Sequence, residues 1–174
     1  MSVSMYRATV PVLIRSLDVL ACLLDKAAAH AEEKGLSDAD VTSARLAEDM
    51  LPFSAQIQRA SDTSKATAER LSGVAAPRFD DTETTFAELR ERIAKTTAYL
   101  KAIDAGTFEG ADTRVVTIKQ KDLELKFSGV EYLFQFGLPN FYFHIVTAYD
   151  ILRHLGVPVG KRDFIGPLEP SVTP

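Results

Sequence analysis

Two residues stand in position to do chemistry: Asn140 and His144, one helical turn apart in the stretch "LPNFYFHIVTAYDILRHLG" from Leu138 to Gly156. Side chains at i and i+4 share a helix face, so an amide and an imidazole can reach one point. Three chemistries follow. His144 and Asn140 could ligate a divalent metal, with the amide oxygen better suited to a hard ion. His144 could act as a general base oriented by Asn140. It could also be a core histidine bonded to a hydroxyl or carbonyl. At about 100° per residue, Phe141, Ile145, Ala148, Ile151, Leu152 and Leu155 fall in one apolar arc, and His144 falls inside it. Asn140 and Thr147 border the arc, whereas Asp150 and His154 lie outside it. A buried imidazole must pair its nitrogens, and Tyr6, Ser61 and Ser64 are the expected partners on neighbouring helices.

Other candidates carry less. Ser61 lies at the margin of an inward stripe and could face a central cleft, while Asp62 lies opposite Phe53 and Leu71 and is expected to meet solvent. Cys22, the one cysteine, sits off the main stripe of its helix with no histidine nearby in sequence. His30 follows the same helix toward its C-terminus, where a cation or plain exposure is expected. "VPVGKRDF" has Gly160 and Lys161 but neither the spaced glycine nor the preceding strand of a phosphate loop. No Gly-x-Ser-x-Gly, His-Glu-x-x-His or Gly-x-Gly-x-x-Gly is present in the chain.

The elements that must position these residues are mostly helical. Val10, Leu13, Ile14, Leu17, Leu20, Leu24, Ala28 and Ala31 recur at three and four, and Gly35 ends that helix. Pro11 marks its start or a kink. Ser37 and Asp38 can cap a short helix before Pro52. A second long helix over Pro52 to Ser72 turns inward Phe53, Ile57, Ala60, Ser64, Thr67 and Leu71, a stripe small and polar at its middle. Asp80, Asp81 or Thr82 can cap a third, carrying Phe86, Leu89, Ile93, Thr97, Leu100 and Ile103. Alternation over about residues 114–127 predicts a hairpin, with Val116 and Ile118 on one strand and Leu123, Leu125 and Phe127 on the other. Ser128 and Glu131 form a capping box for the last helical region, where Gly137 and Pro139 predict a break or kink. Residues from about 157 to 174, rich in proline and glycine, read as an extended tail.

These patterns make the chain one all-α domain over 1–174, an antiparallel four-helix bundle with a short β-hairpin inserted before the last helix. Its 174 residues, 46% hydrophobic and 25% charged, suffice for a real core. A net charge of -4 gives no reason to expect nucleic acid or an anionic membrane. One cysteine excludes an internal disulfide and a cysteine-rich zinc site. Arg7, Arg15 and Asp18 interrupt the apolar N-terminus, so a cytoplasmic location is expected rather than a signal peptide. Phe134, Phe136, Phe141, Tyr142 and Phe143 exceed what one core face can hold, which predicts a homodimer.

Longer motifs carry a family resemblance. "SMY" at Ser4 to Tyr6, "LDKAAAHAE" at Leu24 to Glu32, "RLAEDMLP" at Arg45 to Pro52 and "DTSK" at Asp62 to Lys65 lead to "LPNFYFHIVTAYDILRHLGVPVGKRDFIG" from Leu138 to Gly166. Together they resemble a bacterial family of unknown function related to the DinB/YfiT-like four-helix bundles. Many of that wider group are metal-dependent hydrolases or thiol transferases with a three-histidine site. The resemblance implies the fold and a pocket around His144, Asn140, Asp62, Ser61 and Tyr6. It also aligns the group's His-x-x-x-His pair with Asn140 and His144, so asparagine replaces the first histidine. The second-helix histidine should fall near Ser61, where none stands. The expected function is a small-molecule-binding or stress-associated module with a degenerate metal site and more readily no cofactor than a divalent metal. The alternative is a metal-dependent hydrolase or transferase acting beside His144.

Overall fold

Ser4 accepts the Arg7 amide at 3.3 Å and opens α1, Met5–Lys34, six residues before Pro11. The computed structural model describes residues 3–120 and 123–168. Gly35, at φ 65°, takes the left-handed turn that closes α1. The reciprocal Ser37–Asp40 box starts α2, which covers only Asp38–Thr42 before the chain turns through to Leu51. Then come α3, Phe53–Ser72, and α4, Phe86–Lys101. The hairpin follows, with β1 at Val115–Gln120 and β2 at Leu123–Ser128. Val116 and Ile118 are buried, but their partners Phe127 and Leu125 become more exposed toward the tip, so only the root packs on the bundle. The connection at 121–122 lies outside the described residues.

The expected box of Ser128 and Glu131 starts α5, Gly129–Tyr132. Gly129 lets this turn lie against the Ala111 carbonyl, which an added Cβ would meet at 1.8 Å. Gly137 and Pro139 do not break the helix, as the sequence had suggested. Leu133–Gly137 widens into a π turn and continues directly into α6, Leu138–His154. Proline has no N–H for the turn below it, and the wider turn absorbs that loss. The final segment is also not wholly extended: Lys161–Ile165 forms α7, pinned to α1 by Lys26–Asp163 at 2.6 Å and by Arg15 on the Ile165 and Pro167 carbonyls. Residues 169–174 of that expected tail lie outside the described ones.

Cross-helix bonds give the directions of the bundle. Asp25 pairs with Arg90, and Asp38 accepts the Phe86 amide, so α1 and α4 are antiparallel. Gln56 meets His144, Thr63 meets Asn140 and Thr67 meets Tyr132, so α3 and α6 are antiparallel. α3 and α4 run the same way: Ser61 bonds Thr96 at 2.7 Å, and Val74, just past α3, accepts from Tyr99. The order is therefore up-down-down-up. One buried cluster joins all four helices, from Leu13 and Leu17 through Ile57 and Leu89 to Phe141 and Ile151.

Parallel neighbours need a crossover, and residues 73–85 supply it by running back along α3. Ala76 N donates to Glu69, Lys65 Nζ to the Pro77 carbonyl and Gln58 to Glu83, in that order toward the start of α3. Arg92, 2% exposed, fastens the strap with bonds to the Asp80 carbonyl at 3.0 Å, to Glu83 at 2.9 Å, and to Asp62 and Asp81 at 2.8 and 3.0 Å. Phe79 covers Lys65, whose ammonium lies 3.7 Å from the ring centre. Asp80, Asp81 and Thr82 are thus not the caps the sequence suggested. Asp81 turns to Arg92 and Arg59, while Thr85 and Glu88 form the capping box of α4. Arg92→Met leaves three carboxylates without their shared cation and should cost about 3 kcal/mol, the low end for a broken buried pair because two of the acids stay part-exposed. Arg92→Lys should recover only part of it, since one ammonium cannot span the fork. Urea unfolding measures both.

Candidate functional site

The midpoint of the α3–α6 seam carries the sequence's leading candidate. His144 is 9% exposed, and its Nδ1 lies 2.8 Å from Gln56 Oε1. The partner is not Tyr6, Ser61 or Ser64, the groups expected from sequence. Gln56 Nε2 donates to the Leu51 carbonyl at 3.0 Å, which fixes the amide with its oxygen toward the ring. Nδ1 is therefore the protonated nitrogen, an assignment made from the bonding network, and Nε2 keeps its lone pair. Burial holds the His144 pKa below 6.5, and the Arg59 charge pushes it the same way. The ring is neutral at pH 7. Phe143 meets it edge-on at 5.3 Å.

The other candidates do not all converge there. Asn140 Nδ2 donates to Thr63 Oγ1 at 3.2 Å, one turn along the same seam. Ser61 is fully buried, facing α4 through Thr96 rather than His144. Asp62 is not the plain solvent-facing acid expected: Arg92, Lys65 and Arg59 surround it at 2.8, 3.1 and 3.8 Å. Tyr6 lies on α1 against Phe108, where it lines a separate groove. Sequence reasoning passed over Gln56, Thr63 and Arg59. Gln56 and Thr63 sit one position from the inward stripe, and a buried glutamine three residues after Phe53 was the available signal.

As a metal shell, this set offers His144 Nε2 and the Asn140 amide oxygen, both neutral, beside the Arg59 cation. The nearest acid, Asp62, is already held by three cations. Among the described residues no group of three or more His, Cys, Asp or Glu side chains converges. A transition metal requires more imidazole, thiolate or carboxylate than that.

A model of the domain of unknown function DUF1993 matches residues 5–165. The chain belongs to that family. The DUF1993 chain is also similar to a crystal structure of a DinB family member protein from Shewanella denitrificans, at 40% identity and a TM-score of 0.89. The similarity covers 97% of this chain and 96% of that one. No match was found among curated proteins. The relationship to DinB-like bundles inferred from the closing motif therefore holds across the fold, hairpin included.

In this DUF1993 chain the buried, neutral His144 has a consequence for pH. Its folded pKa lies below the 6.5 of an open histidine, so the unfolded chain binds the proton first as pH falls. The stability from this residue is complete above that value and is lost as pH falls through it toward the folded pKa. Urea midpoints should drop between about pH 7.5 and about pH 5, and His144→Gln should flatten that drop.

Proposed function

We propose that this chain is a small-molecule-binding module built on a DinB-like bundle whose metal position has been converted into an interhelical bond. The observation that supports this most is the Gln56–His144 contact at 2.8 Å. The imidazole that would ligate a metal is tied through Nδ1 to a neutral amide, with the Arg59 cation near enough to depress its pKa. A divalent ion at Nε2 would add positive charge beside Arg59 and find no free carboxylate in return. As a general base, a histidine held below 6.5 is available but weak. No nucleic-acid or membrane partner is proposed; no helix among the described residues is long and apolar enough to cross a membrane. A cytoplasmic setting suits the single, exposed Cys22.

The same reading includes a homodimer through the outer face of α5 and α6. Phe134 and Phe143 are 57% and 56% exposed there, with Val130 and Val146 also open. Contiguous apolar groups of that size favour association.

Protein dialysed against zinc or nickel and then against buffer should retain far less than one metal per chain. A stoichiometric metal that disappears in His144→Ala would overturn the binding-module reading and make the chain a metal-dependent hydrolase or transferase. A small-molecule screen by thermal shift should find stabilising ligands that are recovered unchanged. In solution the chain should elute as a dimer at tens of micromolar by light scattering, and Phe143→Glu should shift it to monomer.

A further inference from the structure

We propose that the ligand site is the groove between α1 and the α7 segment, and that it takes a free aliphatic carboxylate. This rests on the small-molecule reading above but not on His144, which lies in a different seam. The groove holds about 850 Å³, within the size range of small-molecule sites. Val10, Pro11, Ile14 and Val19 give it an apolar wall, and Gly166 and Pro167 form the facing edge. Gly166 belongs there for a physical reason: at φ 72° it approaches α1 so closely that a Cβ would meet Val19 at 2.8 Å.

The polar groups at the rim choose the head group. Arg15, Lys26 and Arg162 face Asp18 and Asp163, which leaves a single positive charge in a protein whose net charge is -4. Lys26 and Asp163 neutralise each other at 2.6 Å. Arg15 spends one terminal nitrogen on the Ile165 and Pro167 carbonyls and keeps its other donors. Arg162 has no ion pair among the described residues, and the Tyr6 hydroxyl has no hydrogen-bond partner among them. Two guanidinium groups with donors to spare suit a carboxylate, which each can bind bidentately. One net positive charge suits a monoanion better than a phosphate dianion. The apolar wall takes the alkyl chain.

Cys22 is exposed, lines this groove and is the only cysteine, so its alkylation rate reports occupancy at one place. Decanoate should slow alkylation by iodoacetamide about tenfold at ten times its Kd, the free fraction left by one-site binding. Decanol and decyl phosphate should protect several-fold less at equal concentration, and Arg162→Glu or Ile14→Glu should abolish decanoate protection while leaving the fold intact by circular dichroism. Equal protection by decanol or by decyl phosphate would overturn the carboxylate assignment. No protection by any probe would overturn the groove as the site, while ligands from the thermal-shift screen would still sustain the broader reading. Protection lost in His144→Ala but kept in both groove variants would move the site to the α3–α6 seam and overturn the proposal. Protection seen only after removal of residues 169–174 would assign the groove to the chain's own C-terminal segment, which also overturns it.

Discussion

The bundle depends on one buried guanidinium. Parallel packing of α3 and α4 forces the chain to return the length of α3 in thirteen irregular residues, 73–85, and an irregular segment laid on a core brings unsatisfied backbone with it. Arg92 meets that need from α4, by accepting burial in exchange for the Asp80 carbonyl and three carboxylates. Lys65 does the same from α3 for the Pro77 carbonyl. Both cations then share Phe79 as a cover. Desolvation works against the Arg92 charge, yet the combined acids raise its pKa overall. A single partner would not offset that cost; a set of three does.

The same network explains why Asp62 could not be read from the sequence. A helical wheel places it away from Phe53 and Leu71, and a residue off the apolar stripe is expected to meet water. What reverses that expectation is a strap supplied by residues more than a turn beyond the helix, which no periodicity within α3 encodes. The polar middle of α3 was legible, however. Ser61, Ser64 and Thr67 in an otherwise apolar stripe announced a polar interior, and it is there, in bonds to Thr96, to the Ser61 carbonyl and to Tyr132. The four helices, the hairpin, the Ser128 box and the glycine ends at Gly35 and Gly73 followed from spacing and capping. The direction of α4 did not, because amphipathic stripes are blind to the sense of the helix that carries them.

The break expected at Gly137 and Pro139 fails for an instructive reason. Proline removes one hydrogen bond, and glycine relaxes the chain, but neither dictates that a helix must end. Here the extra residue of the π turn rotates the sequence after it, and Phe141, His144, Ile145 and Ala148 face the core while Phe143 and Val146 face out. Without that rotation the aromatic run would point differently, and His144 would not meet Gln56. The one helical irregularity therefore sets the phase of the residues that matter most.

That phase also bears on what became of the metal position. Gln56 reaches His144 only because its own amide is oriented by Leu51, at the entrance to α3. A single histidine among apolar neighbours would be a costly residue to keep neutral and unpaired; bonded to an oriented amide it becomes a staple between antiparallel helices, repeated one turn on by Asn140 and Thr63. A bundle that closes its central seam in this way loses the open coordination position that metal catalysis requires. What remains open for recognition is then a surface formed by different elements, and in this chain the α7 segment, clamped by Arg15 and Lys26, builds one along α1.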